Sequence, residues 1–379
     1  MTSTVDTPAA TDAAPAPRTP ARTAHTIVDS DIHPHALARD IAPRLSAEHR
    51  RRWEMFGSRV PGPPEIYPRV RNSGFRLDAW PEGGFPGSDL QLTRDQLLDE
   101  YGIDYGILIP LQGHTWGVEQ PHYAAALTRA VNDWIAEEWL DPEPRLRSSI
   151  NIATESPDLA AAEIRRLADD RRFAQVLLST GGESGYGTRR YWPIYAAAAE
   201  AGLPIAAHTG GLEQHRGAGW PSFYLEEHVW NGNTMASLIT SMLCEGVFAE
   251  FADLQVVCVE GGIAWAGPLM WALDDAWAQL REDVPHVRKP PSEYIREHFW
   301  FTTQPIEEPD DPRELATALE LIGMDERIMF ASDYPHWDFD SPRQAPRLFP
   351  AALRRQIMGS NACRLYGLPE RPEAVEGEQ

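Results

Sequence analysis

Val28-Asp29-Ser30-Asp31-Ile32-His33-Pro34-His35 is the stretch on which the reading of the chain turns. It follows Thr26-Ile27, so a short apolar run gives way to ionisable or metal-binding side chains at every second position. In an extended strand alternate side chains share a face, so Asp29, Asp31, His33 and, if the strand continues, His35 project together. One face then offers carboxylate and imidazole donors to one ion. That set suits zinc, manganese or ferrous iron better than calcium or a thiolate-seeking metal. The plainer reading is a strand end with solvated acids before a proline turn, and only the rest of the chain separates the two.

Downstream, helical and strand patterns alternate. Helical spacing over Thr93 to Tyr101 is followed by a buried strand over Asp104 to Pro110. Then come the helix Tyr123 to Leu140 and strand Leu146 to Ile152, the helix Asp158 to Ala168 and strand Ala174 to Ser179, and the helix Tyr191 to Ala201 and strand Leu203 to Ala207. The pattern closes with the helix Thr234 to Glu245, strand Leu254 to Val259, helix Ala264 to Leu280, strand His298 to Thr302, helix Pro312 to Ile322 and strand Arg327 to Ala331. With the opening strand this makes eight, which predicts a (β/α)8 TIM barrel over residues 24–370 with its active site at the C-terminal strand ends. A doubly wound open sheet is the rival, but no GxGxxG follows any strand.

Residues 1–23 are Ala-, Pro- and Thr-rich with almost no large apolar side chains, so a disordered leader is expected, and residues 371–379 read as a tail. Residues 36–90 hold many prolines and glycines but also Trp53, Phe56, Tyr67, Phe75 and Trp80, which is too aromatic for a linker. A packed cap or lid is expected there.

The 379 residues carry 56 acidic against 34 basic side chains, a formal charge of -22, which argues against nucleic-acid and anionic-membrane partners and leaves small substrates open. Cys244, Cys258 and Cys363 form no CxxC pair, so neither a disulfide framework nor a thiolate zinc site is indicated, and a reducing cytoplasm fits. No run approaches the roughly 18 apolar residues of a membrane span, and the N-terminus lacks the apolar core of a secretory signal.

A barrel places metal-binding side chains at the ends of several strands. Strand five ends in His208-Thr209-Gly210-Gly211, strand six in Glu260-Gly261-Gly262 and strand eight in Asp333-Tyr334-Pro335-His336. One polar residue after a strand is usually a turn or cap, but such endings on several strands are harder to dismiss. Near the same mouth lie His114 after strand two, Thr180-Gly181-Gly182 after strand four, His228 before helix six and Trp265 after strand six. His114, His228, Trp265 and His336 are candidate substrate contacts, while Arg189, Arg190, Tyr191 and Trp192 read as scaffold.

Strand one with alternating Asp and His, Pro204-Ile205-Ala206-Ala207-His208 on strand five and Ser332-Asp333-Tyr334-Pro335-His336 on strand eight resemble the amidohydrolase superfamily. The branch is the one containing aminocarboxymuconate semialdehyde decarboxylase and the resorcylate-type decarboxylases. The resemblance covers about residues 25 to 368, through Gly359-Ser360-Asn361-Ala362-Cys363-Arg364-Leu365-Tyr366-Gly367. It implies His208 and Asp333 as metal ligands, with Asp333 also able to handle a proton, and on strand one either Asp31 with His33 or His33 with His35, the former preferred. At strand six many relatives have a histidine beside the metal-bound water, whereas this chain has Glu260, a base if partial burial raises its pKa, or a hydrogen-bonding residue of the barrel mouth.

The resulting expectation is a mononuclear metalloenzyme, with zinc first and manganese or iron as alternatives, held by Asp31, His33, His208 and Asp333, with Asp333 and Glu260 catalytic. Hydrolysis of a small, aromatic amide or carboxylic acid derivative stands as the main reading. Nonoxidative decarboxylation of an aromatic or unsaturated acid, metal-assisted cyclisation with loss of water, and a non-catalytic binding role stand as alternatives. A homodimer is what the resemblance implies.

Overall fold

Strands such as Val256–Val259, with the sequence VVCV, and Phe299–Thr302, with FWFT, are apolar on both faces, and such strands need cover on both sides. The computed structural model, which describes residues 25–56, 70–110, 120–209 and 221–372, provides that cover by rolling them into a barrel. Its strands are β1 (Val28–Ile32), β2 (Tyr105–Leu108), β3 (Leu146–Asn151), β4 (Phe173–Ser179), β5 (Ile205–His208), β6 (Val256–Val259), β7 (Phe299–Thr302) and β8 (Ile328–Met329). All pair in parallel and in chain order. The last seam, between β8 and β1, is closed by backbone hydrogen bonds from Ser30 to Phe330 (2.9 Å), Asp333 to Asp31 (3.2 Å) and His33 to Tyr334 (2.8 Å). The expected (β/α)8 barrel is the fold observed.

The helices between strands begin where the sequence permits. Those at Pro121–Ile135, Pro157–Leu167, Trp192–Ala201, Pro291–His298 and Pro312–Ile322 carry proline in the first turn, where its missing N–H costs no helical hydrogen bond. Their apolar stripes pack on the outward faces of the strands, in one large cluster that includes Ile205, Val256 and Phe299. The register row Leu177, Ala206, Val257 and Trp300 belongs to a second, smaller cluster inside the barrel, together with Ala362 and Cys363 of the last helix, Asn361–Tyr366. His208 lies two residues beyond Ala206 on β5 and therefore shares this inner face.

Two expectations are modified. Strict alternation over Asp29, Asp31, His33 and His35 fails because β1 slips register against β2 between Asp29 and Ile32, and such an irregularity re-aims side chains. The extended strand also ends at Ile32, ahead of Pro34. Arg371, counted with the tail, is held by its backbone N–H on Thr26 Oγ1 (2.7 Å) and its guanidinium on Asp104 (2.6 Å).

The 36–90 excursion contains the helix Ala47–Phe56 and a strap around Gly74 that lies against the β8 loop. Phe75 bridges antiparallel to His336, Arg76 donates its N–H to Pro335 (3.0 Å), and Trp337 donates to Gly74 (2.9 Å). Trp53 packs against the main core and Trp80 against Phe85. Tyr67, His114, the leader and residues 373–379 lie outside the described residues. None of the described helices is long and apolar enough to cross a membrane.

Candidate metal centre

Asp31 and His33 at the end of β1, His208 at the end of β5 and Asp333 just beyond β8 meet inside the C-terminal mouth, each at most 3% exposed. His33 Nδ1 lies 2.9 Å from the Ile109 carbonyl, which can only accept, so Nδ1 carries the proton and the Nε2 lone pair points inward. That Nε2 is 2.8 Å from Asp333 Oδ1 and 3.2 Å from Asp31 Oδ1. Two acceptors so close repel unless a proton or a metal cation stands between them. His208 is anchored in the same manner, its Nδ1 donating to the Thr209 carbonyl, and its Nε2 is 3.3 Å from Glu260 Oε2 and 3.7 Å from Asp31 Oδ2.

The donor set fits a divalent cation. Neither oxygen of buried Asp31 accepts a hydrogen bond from the protein, an arrangement costly for a carboxylate unless a positive ion faces it. Ligand atoms of Asp31, His33 and His208 lie within 4.8 Å of one another, as do those of His33, Asp333 and His336, and the two groups share His33. A mixed nitrogen and oxygen set accommodates zinc, manganese or iron.

Electrostatics follow from this crowding. Burial alone would depress His208, but the Asp31 and then the Glu260 carboxylates outweigh it and raise the imidazole to about 9. For His336, burial is likewise overcome by Asp333, 2.6 Å away, and the imidazole rises to about 10. Asp333 is the reverse: burial works against its charge, yet His336 and His33 hold its carboxyl well below the usual range. Glu260 is pushed up by burial and by the nearby Asp333 charge.

Asp333 and Glu260 share a second property. Both have left-handed backbone, with φ of 58° and 57°, a conformation costing a non-glycine residue roughly 1–2 kcal/mol. Their surroundings hold it in place: Glu260 N donates to Thr302 Oγ1 (3.1 Å) and Asp333 N to the Asp31 carbonyl (3.2 Å). Gly262 explains the Glu-Gly-Gly ending, because with φ at 68° a Cβ there would stand 2.7 Å from Glu307 Oε1. Glu307 meanwhile accepts the N–H groups of Ile263 (3.0 Å) and Ala264 (2.9 Å).

The remaining candidates separate. His336 joins the centre through Asp333 and is covered by Phe75, with ring centroids 4.9 Å apart. His35 turns away and packs on Phe85 at 4.2 Å, its imidazole pushed down to about 4 by burial, so the geometry brings Asp31 rather than His35 beside His33. Asp29 accepts the N–H groups of Ser332 (2.9 Å) and Asp31 (3.3 Å) and belongs to the β1–β8 seam. Trp265 donates to the Gly261 carbonyl (2.7 Å) and packs on Phe301, supporting the β6 ending from behind. His228 lies in the loop after β5, with Nε2 3.2 Å from Asp338 Oδ2. Arg189 stacks on Trp192 and Tyr191 donates to Glu155 (2.9 Å), as scaffold. Three residues were not foreseen: Thr209, whose hydroxyl donates to Glu260 Oε2 (2.7 Å); Phe75, visible only as one aromatic among several; and Asp338, two residues beyond the last quoted motif.

A parallel barrel with buried carboxylates and imidazoles at its C-terminal mouth defines the class of metal-dependent barrel enzymes. The amidohydrolase family model matches residues 28–368, and the chain belongs to that family. It is an enzyme of this metal-dependent superfamily, a hydrolase or a carboxy-lyase. The gamma-resorcylate decarboxylase of Polaromonas sp. (strain JS666 / ATCC BAA-500) is 25% identical over 317 residues, covering 78% of this chain and 94% of that protein. That of Rhizobium sp. (strain MTP-10005) is 27% identical over 314 residues, 77% and 91% of the two chains. Among solved structures, a dihydroxybenzoic acid decarboxylase from Polaromonas sp. JS666 with bound manganese and the inhibitor 2-nitroresorcinol has a TM-score of 0.63 at 20% identity, covering 90% of this chain and 97% of that one. At this identity the likeness establishes the shared barrel.

Proposed function

We propose that this protein is a nonoxidative decarboxylase of a hydroxylated aromatic acid, with one divalent cation held by Asp31, His33, His208 and Asp333. The observation that carries the reading is the acid-x-His pair of β1 buried against His208 and Asp333, in a chain aligned over about three-quarters of its length with gamma-resorcylate decarboxylases. The relatives favour this alternative over amide hydrolysis, the main expectation from sequence. The manganese of the Polaromonas structure gives that ion equal standing with zinc.

When bound, the cation supplies the positive charge that holds a substrate carboxylate and a neighbouring oxygen. The chain's own groups do the rest. The carbonyls of Ile109 and Thr209 orient the two imidazoles. The hydrogen-bonded His336–Asp333 pair stores a proton, which passes through Asp333 to the ring carbon bearing the carboxylate. As the C–C bond breaks, its electron pair returns to the ring and carbon dioxide departs. Glu260, raised toward its neutral form, donates to a substrate oxygen while Thr209 fixes its orientation. Phe75 and Phe85 keep water from the mouth on the strap side. The setting this reading expects is a homodimer in the cytoplasm.

The test is carbon dioxide release from gamma-resorcylate by manganese- or zinc-loaded protein, with stoichiometric resorcinol. The result that would sink the reading is no carbon dioxide from a panel of hydroxybenzoates, with ammonia released from aromatic amides instead.

A further inference from the structure

The loop after β5 and the loop after β8 belong to strands three places apart in the sheet, yet they are joined across the barrel mouth. The short helix Tyr224–Val229 brings His228 Nε2 to 3.2 Å from Asp338 Oδ2. Asp338 is fixed from below by Gln304, at the end of the β7 segment, whose amide donates to the same carboxylate at 2.8 Å. The imidazole is stacked on Tyr224 with centroids 5.7 Å apart and planes 20° from parallel, and Trp337 stands 6.0 Å away. Trp337 in turn donates its indole N–H to the Tyr224 hydroxyl at 3.2 Å. His228 is therefore held by three elements, which a surface histidine does not require.

Its charge state matches its cage. The Asp338 hydrogen bond, against burial, raises the imidazole to about 9, and the Glu260 and Asp333 charges add to this. An imidazolium donates from both nitrogens. Nε2 is taken by Asp338, and Nδ1 has no partner among the described residues. A fixed cationic donor beside a mouth lined with Glu260, Asp333 and Asp338 is misplaced for repelling acids and well placed for capturing one.

We infer that His228 Nδ1 binds a second anionic oxygen of the substrate, a carboxylate or phenolate on the ring away from the carboxylate that is lost. The inference rests on the decarboxylase reading and narrows its substrates to aromatic acids bearing another acidic group. A purely structural latch between the two loops would hold every ligand alike, whereas a binding residue discriminates between ligands that differ only in that group.

The experiment is calorimetric titration of the manganese-loaded protein at pH 7 with 2-hydroxybenzoate, 4-hydroxyisophthalate and 2,4-dihydroxybenzoate. The second ligand adds one carboxylate to the first, and the third adds one phenol, so the two arms separate the sources of the anionic oxygen. The expected result is a preference of about ten-fold or more for one of the two over 2-hydroxybenzoate, lost in His228→Gln and kept in His228→Arg, which retains a cationic donor. Metal content and circular dichroism establish that the variants are folded. A preference unchanged in His228→Gln, equal weakening of all three ligands, or no preference in the wild type overturns the assignment of His228 alone. Absence of binding by any of the three overturns the decarboxylase reading with it.

Discussion

The centre of the mouth and its rim are built differently. Asp31, His33 and His208 lie on or directly beyond strands whose pairing is set by a closed sheet, and each is buried with its ligand atoms within 4.8 Å of the others. His228, Asp338 and Trp337 sit on excursions beyond the ends of β5 and β8 and reach one another only because two loops fold toward each other. A strand fixes a side chain through its register, and a loop fixes one only through other side chains. Chemistry that must not vary therefore falls to the strand ends, and selection among substrates to the rim.

The largest expected effect comes from breaking the centre. Asp31→Ala removes a ligand and its charge and His208→Ala removes a neutral ligand, each worth several kcal/mol in the transition state, so turnover falls by about a thousand-fold or more together with loss of bound metal. Steady-state kinetics alongside metal content check this. His336→Asn sharpens the boundary between centre and rim, because His336 borders the cluster, hydrogen-bonded to Asp333 and with its ring 4.8 Å from that of His33. A loss of about 10- to 100-fold in activity or metal affinity is expected, and a change below two-fold would move His336 out of the proton path.

The rim predictions are smaller and depend on pH. Folding raises His228 from 6.5 to about 9, so the stability it contributes is complete below pH 6.5 and is lost as pH rises through about 9. His228→Gln should therefore lower the melting temperature by about 2 °C at pH 6 and not at pH 10. A gap that is constant with pH would show that packing, not charge, holds the ring. The smallest effect is expected at His35, which packs on Phe85 outside the cluster. His35→Ala should leave metal content unchanged and cost about 1 kcal/mol in chemical denaturation.

The same division governed what could be read from sequence. His208 and Asp333 were legible because each ends an apolar run recognisable as a strand, and a barrel gathers strand ends. Spacing put Asp31, His33 and His35 on one face and left His33 with either neighbour, Asp31 preferred; the register slip in β1 was not legible, since it arises from fitting β1 between β2 and the β8 segment. Glu260 was visible as a strand end, but its left-handed backbone and its contact with Thr209 depend on β5 and β7. Trp265 was placed near the mouth by sequence position alone, and it supports the Gly261 carbonyl from the helix side. Asp338 and Phe75 carry no local signal, because their roles exist only once distant loops have met.

The central claim is tested most directly by elemental analysis of the purified protein beside Asp31→Ala, His208→Ala and His35→Ala. The account predicts about one divalent metal per chain in the wild type, absent from Asp31→Ala and His208→Ala and retained in His35→Ala. Metal kept in Asp31→Ala but lost in His35→Ala, or no metal in the wild type even after reconstitution, would contradict it.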